Sequence, residues 1–227
     1  MIISFVLVEP AVPENVGAAA RAMKTMGFYE LLLVNPCNYL DGPARWLAHG
    51  SADILENAKV FSSLKDAVSG FDFIIGTTAK KRSVKNDYYS LSDLNSLLNS
   101  KGKSIDKAAL VFGREESGLK NEELKLCDLV STVPLKTVNP SLNLAQAVML
   151  YAWELSAAGD IECLNEESAN IGSLRVLLGK VKIVLQRTGF DEDSLIFSRF
   201  IERINIMCEN DLQLLHSFCN KFLYKNL

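Results

Sequence analysis

Ile2-Ile3-Ser4-Phe5-Val6-Leu7-Val8 runs into Glu9-Pro10-Ala11-Val12-Pro13-Glu14 and then into Asn15-Val16-Gly17-Ala18-Ala19-Ala20-Arg21. A near-continuous apolar run of strand length reads as a β-strand buried on both faces, because a half-exposed strand would alternate apolar and polar residues. The Ala- and Gly-rich stretch after the proline turn reads as a helix from Asn15 to Met26, closed by Gly27, with Asn15 as its cap. Strand, turn and helix in that order form the opening unit of a sheet whose strands run parallel.

The same pattern recurs along the chain. Leu31-Leu32-Leu33-Val34, Phe71-Asp72-Phe73-Ile74-Ile75-Gly76, Ala108-Ala109-Leu110-Val111-Phe112 and Leu129-Val130-Ser131-Thr132-Val133 are further buried strands. Between them fall a short helix from Ser51 to Asn57, a turn at Leu64 to Val68, and helices starting at Asn121, as its cap, and near Ser141. The last is apolar nearly all round, through Leu144, Val148, Tyr151 and Leu155 on one side and Ala145, Met149 and Ala152 on the other, which implies burial on more than one face. The fold class is therefore α/β, a mostly parallel sheet with helices on both faces, over residues 1–158. Residues 159–167 read as a polar, acidic linker. Residues 168–227 read as a small all-helical extension, with Leu174, Leu177, Leu178, Val181 and Leu185, then Phe197, Phe200, Ile201 and Ile204, at helical spacing.

Composition narrows the function classes. The chain has 227 residues, 48% of them hydrophobic, and a net charge of −3, and no run of roughly 18 apolar residues. That excludes a disordered chain and a membrane-spanning helix, and the short apolar start lacks the basic flank of a signal peptide, so a cytoplasmic protein is expected. A weakly acidic protein binds nucleic acid only through a local basic patch. Five cysteines, with no Cys-x-x-Cys pair, and two distant histidines, His49 and His216, imply reduced thiols and no metal site.

Four clusters follow strand ends, where open α/β sheets bind ligands. Arg21, on a helix of small residues, is either a surface arginine or a group aimed at a ligand. Gly113-Arg114-Glu115-Glu116-Ser117-Gly118 resembles a phosphate loop but breaks the Walker frame, since Leu119 precedes Lys120 and Asn121 follows. Its acids suit a neutral or cationic ligand, and a tight structural turn is the alternative. Ser141 and Asn143, opening the apolar helix, are either a cap or a ligand-facing pair. Lys80-Lys81-Arg82 with Lys85 is a solvated loop or a phosphate-binding lip.

Three of these segments, Asn15-Val16-Gly17-Ala18-Ala19-Ala20-Arg21, Gly113-Arg114-Glu115-Glu116-Ser117-Gly118 and Ser141-Leu142-Asn143, stand in the order of the three motifs of the SpoU-type branch of the SPOUT superfamily, the RNA 2′-O-ribose methyltransferases. The chain resembles that family over its first 158 residues. Arg21 to Gly27 and the terminal helices are similar to the bacterial TrmJ-type enzymes, which methylate cytidine or uridine at tRNA position 32.

The resemblance implies a trefoil knot at the end of the sheet, a homodimer, tRNA as partner, and S-adenosyl-L-methionine as cofactor. The cofactor would touch Thr77, Thr78, Ala79, Gly113, Val133, Pro140, Ser141 and Leu142. Arg21, Asn15, Glu115, Ser141 and Asn143 would form the catalytic group, and Lys80, Lys81, Arg82 and Lys85 the RNA-binding lip. Arginine stays protonated, so Arg21 is expected to grip a phosphate or the developing alkoxide rather than act as a base. An α/β nucleotide- or flavin-binding protein, and a methyltransferase acting on rRNA, are the competing readings.

Overall fold

The computed structural model describes residues 1–80, 82, 84–85, 87–137, 141–156 and 174–225. The expected linker, Lys81 and Pro140 lie outside the described residues. Seven strands, β1 (Ile2–Val8), β2 (Leu31–Val34), β3 (Lys59–Phe61), β4 (Phe73–Thr77), β5 (Tyr89–Ser90), β6 (Lys107–Phe112) and β7 (Leu129–Thr132), form one sheet in the order β3-β2-β1-β6-β4-β7-β5. Every pairing is parallel, with β1 against β6 in register from Ile2↔Lys107 to Leu7↔Phe112. All five expected strands are present. β3 and β5, missed in the sequence, are the two edge strands, too short and too exposed to carry an apolar signature.

Alternation sends each strand into two separate cores. Phe5, Leu7, Leu31, Leu33, Phe73, Ile75, Leu110 and Phe112 face α1 (Pro13–Thr25), α2 (Pro43–Ala48), α3 (Ala52–Glu56), α5 (Leu94–Ser100) and α7 (Leu144–Ser156). Val6, Val8, Leu32, Val34, Ile74, Ala109, Val111 and Val130 face the smaller core under α4 (Leu64–Val68) and α6 (Asn121–Leu126). Residues 64–68, expected as a turn, form a helical turn capped by Ser63, whose hydroxyl accepts the Asp66 N–H.

Three helix starts differ from expectation. α1 begins at Pro13 with Val12 as its cap, because proline is pre-organised for the first helical position, and Asn15 sits inside the first turn, 8% exposed. α6 takes Lys120 rather than Asn121 as its cap, and the Glu123 carboxylate reaches back to the Lys120 N–H at 2.6 Å. α7 starts at Leu144, not Ser141: Asn143 Oδ1 accepts the Ala145 N–H and Gln146 Oε1 accepts the Asn143 N–H. Nor is α7 buried all round. Leu144, Val148, Tyr151, Ala152 and Leu155 are buried, while Met149, Leu150 and Trp153 are exposed.

After α7 the described residues contain only helices: α8 (Leu174–Arg187), α9 (Leu195–Ile204) and α10 (Glu209–Lys225). Leu174, Leu177, Leu178, Val181, Leu185, Phe197 and Ile204 join the larger core, whereas Phe200 is 46% exposed, turned off the stripe that Phe197 and Ile204 define. These helices dock beside the amino ends of β4 and β7, where Arg175 grips Asp128 through two bonds of 2.6 and 2.9 Å. The carboxyl ends of the strands are left to the loops.

Candidate active site

β1 connects toward β2 on one side, while β6 connects past β4 to β7 on the other, so the direction of winding reverses between β1 and β6. At such a switch point the loops diverge and leave a crevice. Here the loop after β1 and the 113–118 turn after β6 flank it. The turn is closed by an Arg114–Gly118 bridge, with both backbone bonds formed at 2.9 and 3.2 Å. Only glycine fits at 113, because a Cβ there would lie 2.1 Å from the Gly118 carbonyl carbon. Gly118 adopts φ +68°, in the left-handed region.

Two consecutive side chains stitch this turn to the loop after β1. Glu115 accepts the Ala11 and Val12 N–H groups at 3.1 and 3.2 Å and the Asn15 amide at 3.1 Å. Its carboxylate thereby serves the start of α1 in place of a local cap. Burial would raise the Glu115 carboxyl, but these donors outweigh it and hold it below the usual range. Arg114 turns the other way, with bonds of 2.8 and 2.7 Å to Glu9 and of 3.0 and 2.9 Å to Glu123. Glu9 takes a left-handed φ of 47°, unusual outside glycine. The Arg114 guanidinium lowers the Glu9 carboxyl, and it also lowers that of Glu123 against the opposing effect of burial.

The stitching continues into α7. Asn15 Oδ1 accepts the Asn143 amide at 2.7 Å, so Glu115, Asn15 and Asn143 form one hydrogen-bonded chain across 128 residues of sequence. All three motif segments therefore meet. Both asparagines spend their side chains on this chain and on the start of α7, which realises the capping alternative for Asn143 and leaves neither lining the neighbouring cleft.

On the other side of the 113–118 turn lies a cleft of about 530 Å³ at the ends of β4, β6 and β7. Thr77, Thr78, Ala79, Gly113, Val133, Ser141 and Leu142 all line it, as do Glu115, Lys80 and Arg82. Its floor is Phe112, Leu144, Ala147 and Tyr151, with Tyr151 edge-on to Phe112 and its hydroxyl 3.1 Å from Ser131 Oγ. Burial pushes the Tyr151 hydroxyl up to about 12, so it stays neutral.

Two expected site residues stand apart. Arg21 is exposed, does not line the cleft, and its guanidinium has no partner among the described residues. Lys85 is turned away, its ammonium 2.7 Å from the Cys127 carbonyl. Arg82 reaches across to the Ser117 carbonyl at 2.8 Å. Sequence reasoning missed Glu9, Arg114, Glu123 and Lys120. The three-residue spacing of Lys120 and Glu123 was a local cue for a cap, but nothing local pairs Glu9 with Arg114, 105 residues away.

Fold and cleft define a parallel α/β protein with a cleft of small-ligand size, apolar in its floor and polar in its walls, at the carboxyl ends of its strands. The model of the SpoU rRNA methylase family matches residues 2–153, and the chain belongs to that family. It is 40% identical over 216 residues to an uncharacterized tRNA/rRNA methyltransferase, LasT, of Escherichia coli K12, covering 95% of each chain. It is 36% identical over 197 residues to the tRNA (cytidine/uridine-2′-O-)-methyltransferase TrmJ of Citrobacter koseri, covering 83% of this chain and 80% of that one. Among solved structures it is similar to a probable methylase family protein from Haemophilus influenzae Rd KW20, with a TM-score of 0.68 and 32% identity over 99% of this chain and 98% of that one. TrmJ from Z. mobilis ZM4 superposes with a TM-score of 0.66 at 25% identity, covering 98% and 99%.

Proposed function

We propose that the protein methylates a ribose 2′-hydroxyl of RNA with S-adenosyl-L-methionine, acting on tRNA at anticodon-loop position 32, on cytidine or uridine. The observation that carries this reading is that the three motif segments meet through the Glu115–Asn15–Asn143 chain beside a cleft that the second and third of them line. The cleft fits the cofactor: its volume lies within the ~300–1,000 Å³ of small-ligand sites, and it joins an apolar floor to hydroxyl and backbone groups. Thr77, Thr78, Ala79, Gly113, Val133, Ser141 and Leu142 would hold it, with Pro140 beside them in the sequence. When bound, the cofactor supplies an electrophilic methyl group on a positively charged sulfur. Kinship with TrmJ and LasT supports an RNA substrate.

The protein's part is alignment and charge. Methyl transfer to a hydroxyl requires the attacking oxygen in line with the methyl carbon, so the gain comes from rigid placement, which the Glu115–Asn15–Asn143 chain supplies. The hydroxyl must also lose its proton, which passes to solvent water, and a guanidinium beside the oxygen stabilises the alkoxide that develops. Arg21 takes this role. Its distance from the cleft of its own chain fits a homodimer in which one copy's α1 reaches the other's cleft, and the exposed Met149, Leu150 and Trp153 of α7 offer an apolar face for that contact. The trefoil knot and a cytoplasmic location belong to the same reading.

Tritium transfer from labelled cofactor to tRNA tests it. Arg21→Ala should lose about 100-fold or more in kcat, while calorimetric affinity for S-adenosylhomocysteine stays within about twofold. Arg21→Lys should recover little, since an ammonium lacks the fork. Near-normal transfer by Arg21→Ala refutes the role. A wild type that fails to bind S-adenosylhomocysteine refutes the cofactor, and methylation of rRNA in place of tRNA moves the substrate.

A further inference from the structure

Six charged side chains line the cleft: Lys80, Arg82, Arg114, Glu115, Glu116 and Lys120. Two have their charge met inside the protein and a third is tethered. Arg114 is neutralised between Glu9 and Glu123 and Glu115 accepts from three donors, while Arg82 gives one of its five N–H groups to the Ser117 carbonyl, which turns it to the 113–118 turn but leaves its charge unpaired. Lys80, Lys120 and Glu116 make no side-chain hydrogen bond or ion pair within 4 Å among the described residues, and all three are exposed; Lys120 stands near enough to Glu9 and Glu123 to help lower their carboxyls, yet its ammonium is left to solvent. The basic run that stands out in the sequence is thus only partly the basic surface of the cleft. Lys85 faces the Cys127 carbonyl, while Lys120 reaches the rim from a different strand end, just past the 113–118 turn.

We propose that Lys120 and Lys80 together seat the ribose–phosphate backbone of the RNA across the mouth of the cleft, with Lys120 as the anchor on the β6 side and Lys80 as the anchor on the β4 side. This rests on the RNA methyltransferase reading. β4 and β6 are neighbours in the sheet, and the two lysines line one cleft from the loops that follow these adjacent strands. A solvent-exposed ammonium at the rim suits a ligand lying across the opening, where it exchanges bound counterions for a phosphate. A carboxylate held deep in the cleft would call for a buried cation, and the buried cation present, Arg114, is already paired. Glu116 on the same rim repels polyanions in general, so the seat favours an RNA already aligned by its shape over random sequence. With a net charge of −3 on the whole chain, rim cations outside any ion pair weigh heavily, and Lys80 and Lys120 are the two with no hydrogen bond among the described residues to hold them back.

The substitution is structurally mild. Lys120 contributes its backbone N–H to the start of α6, which any residue but proline preserves, and its side chain is solvent-exposed. Lys120→Met in the full chain should weaken binding of a tRNA transcript about fivefold in filter assays near 50 mM KCl. It should also reduce the slope of log affinity against log salt by about 0.7–0.9, the share of one phosphate. Lys80→Met should do the same, and the double variant should lose about twice that slope. Affinity for S-adenosylhomocysteine and the melting temperature should stay at wild-type values.

Unchanged tRNA affinity and salt slope in Lys120→Met would overturn the proposal. So would weakened S-adenosylhomocysteine binding with tRNA binding intact, which would assign the ammonium to the cofactor's carboxylate. If wild type binds tRNA with the predicted slope yet transfers no methyl group, the phosphate seat stands and the methyltransferase reading falls.

Discussion

The two ends of the sheet treat charge in opposite ways. At the carboxyl ends of β4, β6 and β7, exposed cations rim a cleft whose framework charges pair with one another. At the amino ends, charges are buried and consumed. Asp128 accepts from Arg175 and from the Ile74 N–H, Asn205 donates to the Asp128 carbonyl, and Lys101, fully buried, donates to the Met207 carbonyl at 2.8 Å while lying 5.6 Å from the Phe73 ring. One end is built to receive a ligand, the other to hold helices α8 to α10. Substitutions at the two ends should therefore separate function from stability.

A pair of glycines gives the sharpest contrast. A Cβ at Gly113 meets backbone, the Gly118 carbonyl carbon at 2.1 Å and the Leu119 nitrogen at 2.2 Å, so the turn itself must move. A Cβ at Gly102 meets the Glu209 side chain, which can swing aside, although φ +51° leaves some backbone strain. Gly113→Ala should abolish measurable S-adenosylhomocysteine binding in calorimetry, a loss of about 100-fold or more, and cost roughly 3 kcal/mol in urea denaturation. Gly102→Ala should leave that affinity intact and cost about 1 kcal/mol. Equal effects on binding would erase the functional distinction between the ends.

At the other end, Arg175→Met leaves the Asp128 carboxylate buried with its main counter-charge gone. Burial already raises the Asp128 carboxyl despite Arg175, so the lone charge is costly. The loss should be on the order of 2–3 kcal/mol in urea denaturation, reduced from the value for a fully buried pair because Arg175 is one-third exposed. Cofactor affinity should not change. A parallel loss of S-adenosylhomocysteine binding would show that the helices support the cleft as well as the sheet.

How legible these two ends were follows from how local their signals are. The five long strands announce themselves because burial on both faces forces continuous apolar runs, as in Phe5 to Val8. Seven of the eight cofactor positions that the family resemblance implies line the cleft, just past the strand ends where the sequence placed its four clusters. What was hidden is pairing at a distance. Asn15 looks like a cap by residue type, yet Glu115, a hundred residues on, does the work at the start of α1. The basic run at 80–85 looks like one patch, but the Cys127 carbonyl turns Lys85 away while Lys80 and Arg82 line the cleft. The lock at the amino ends was invisible for the same reason: nothing near Lys101 in sequence predicts that Met207, 106 residues later, will cover it.

Lys101 offers the smallest and most specific test of that lock. Burial lowers its pKa to about 8, against partial compensation from Asp128 and Cys208, while in the unfolded chain it titrates near 10.5. Below pH 8 the ammonium is protonated in both states, and its desolvation weighs against folding in full. Between pH 8 and about 10.5 the unfolded chain holds a proton that the native protein has released, so this group's contribution to stability rises with pH. The neutral amine still donates to the Met207 carbonyl, and the helices stay docked. The measurement is the difference between wild type and Lys101→Met in urea denaturation from pH 7 to 10, which cancels everything the two proteins share. The difference should move in favour of wild type by on the order of 1–2 kcal/mol across that range, and a pH-independent difference would place the Lys101 ammonium in contact with solvent rather than sealed beneath α9 and α10.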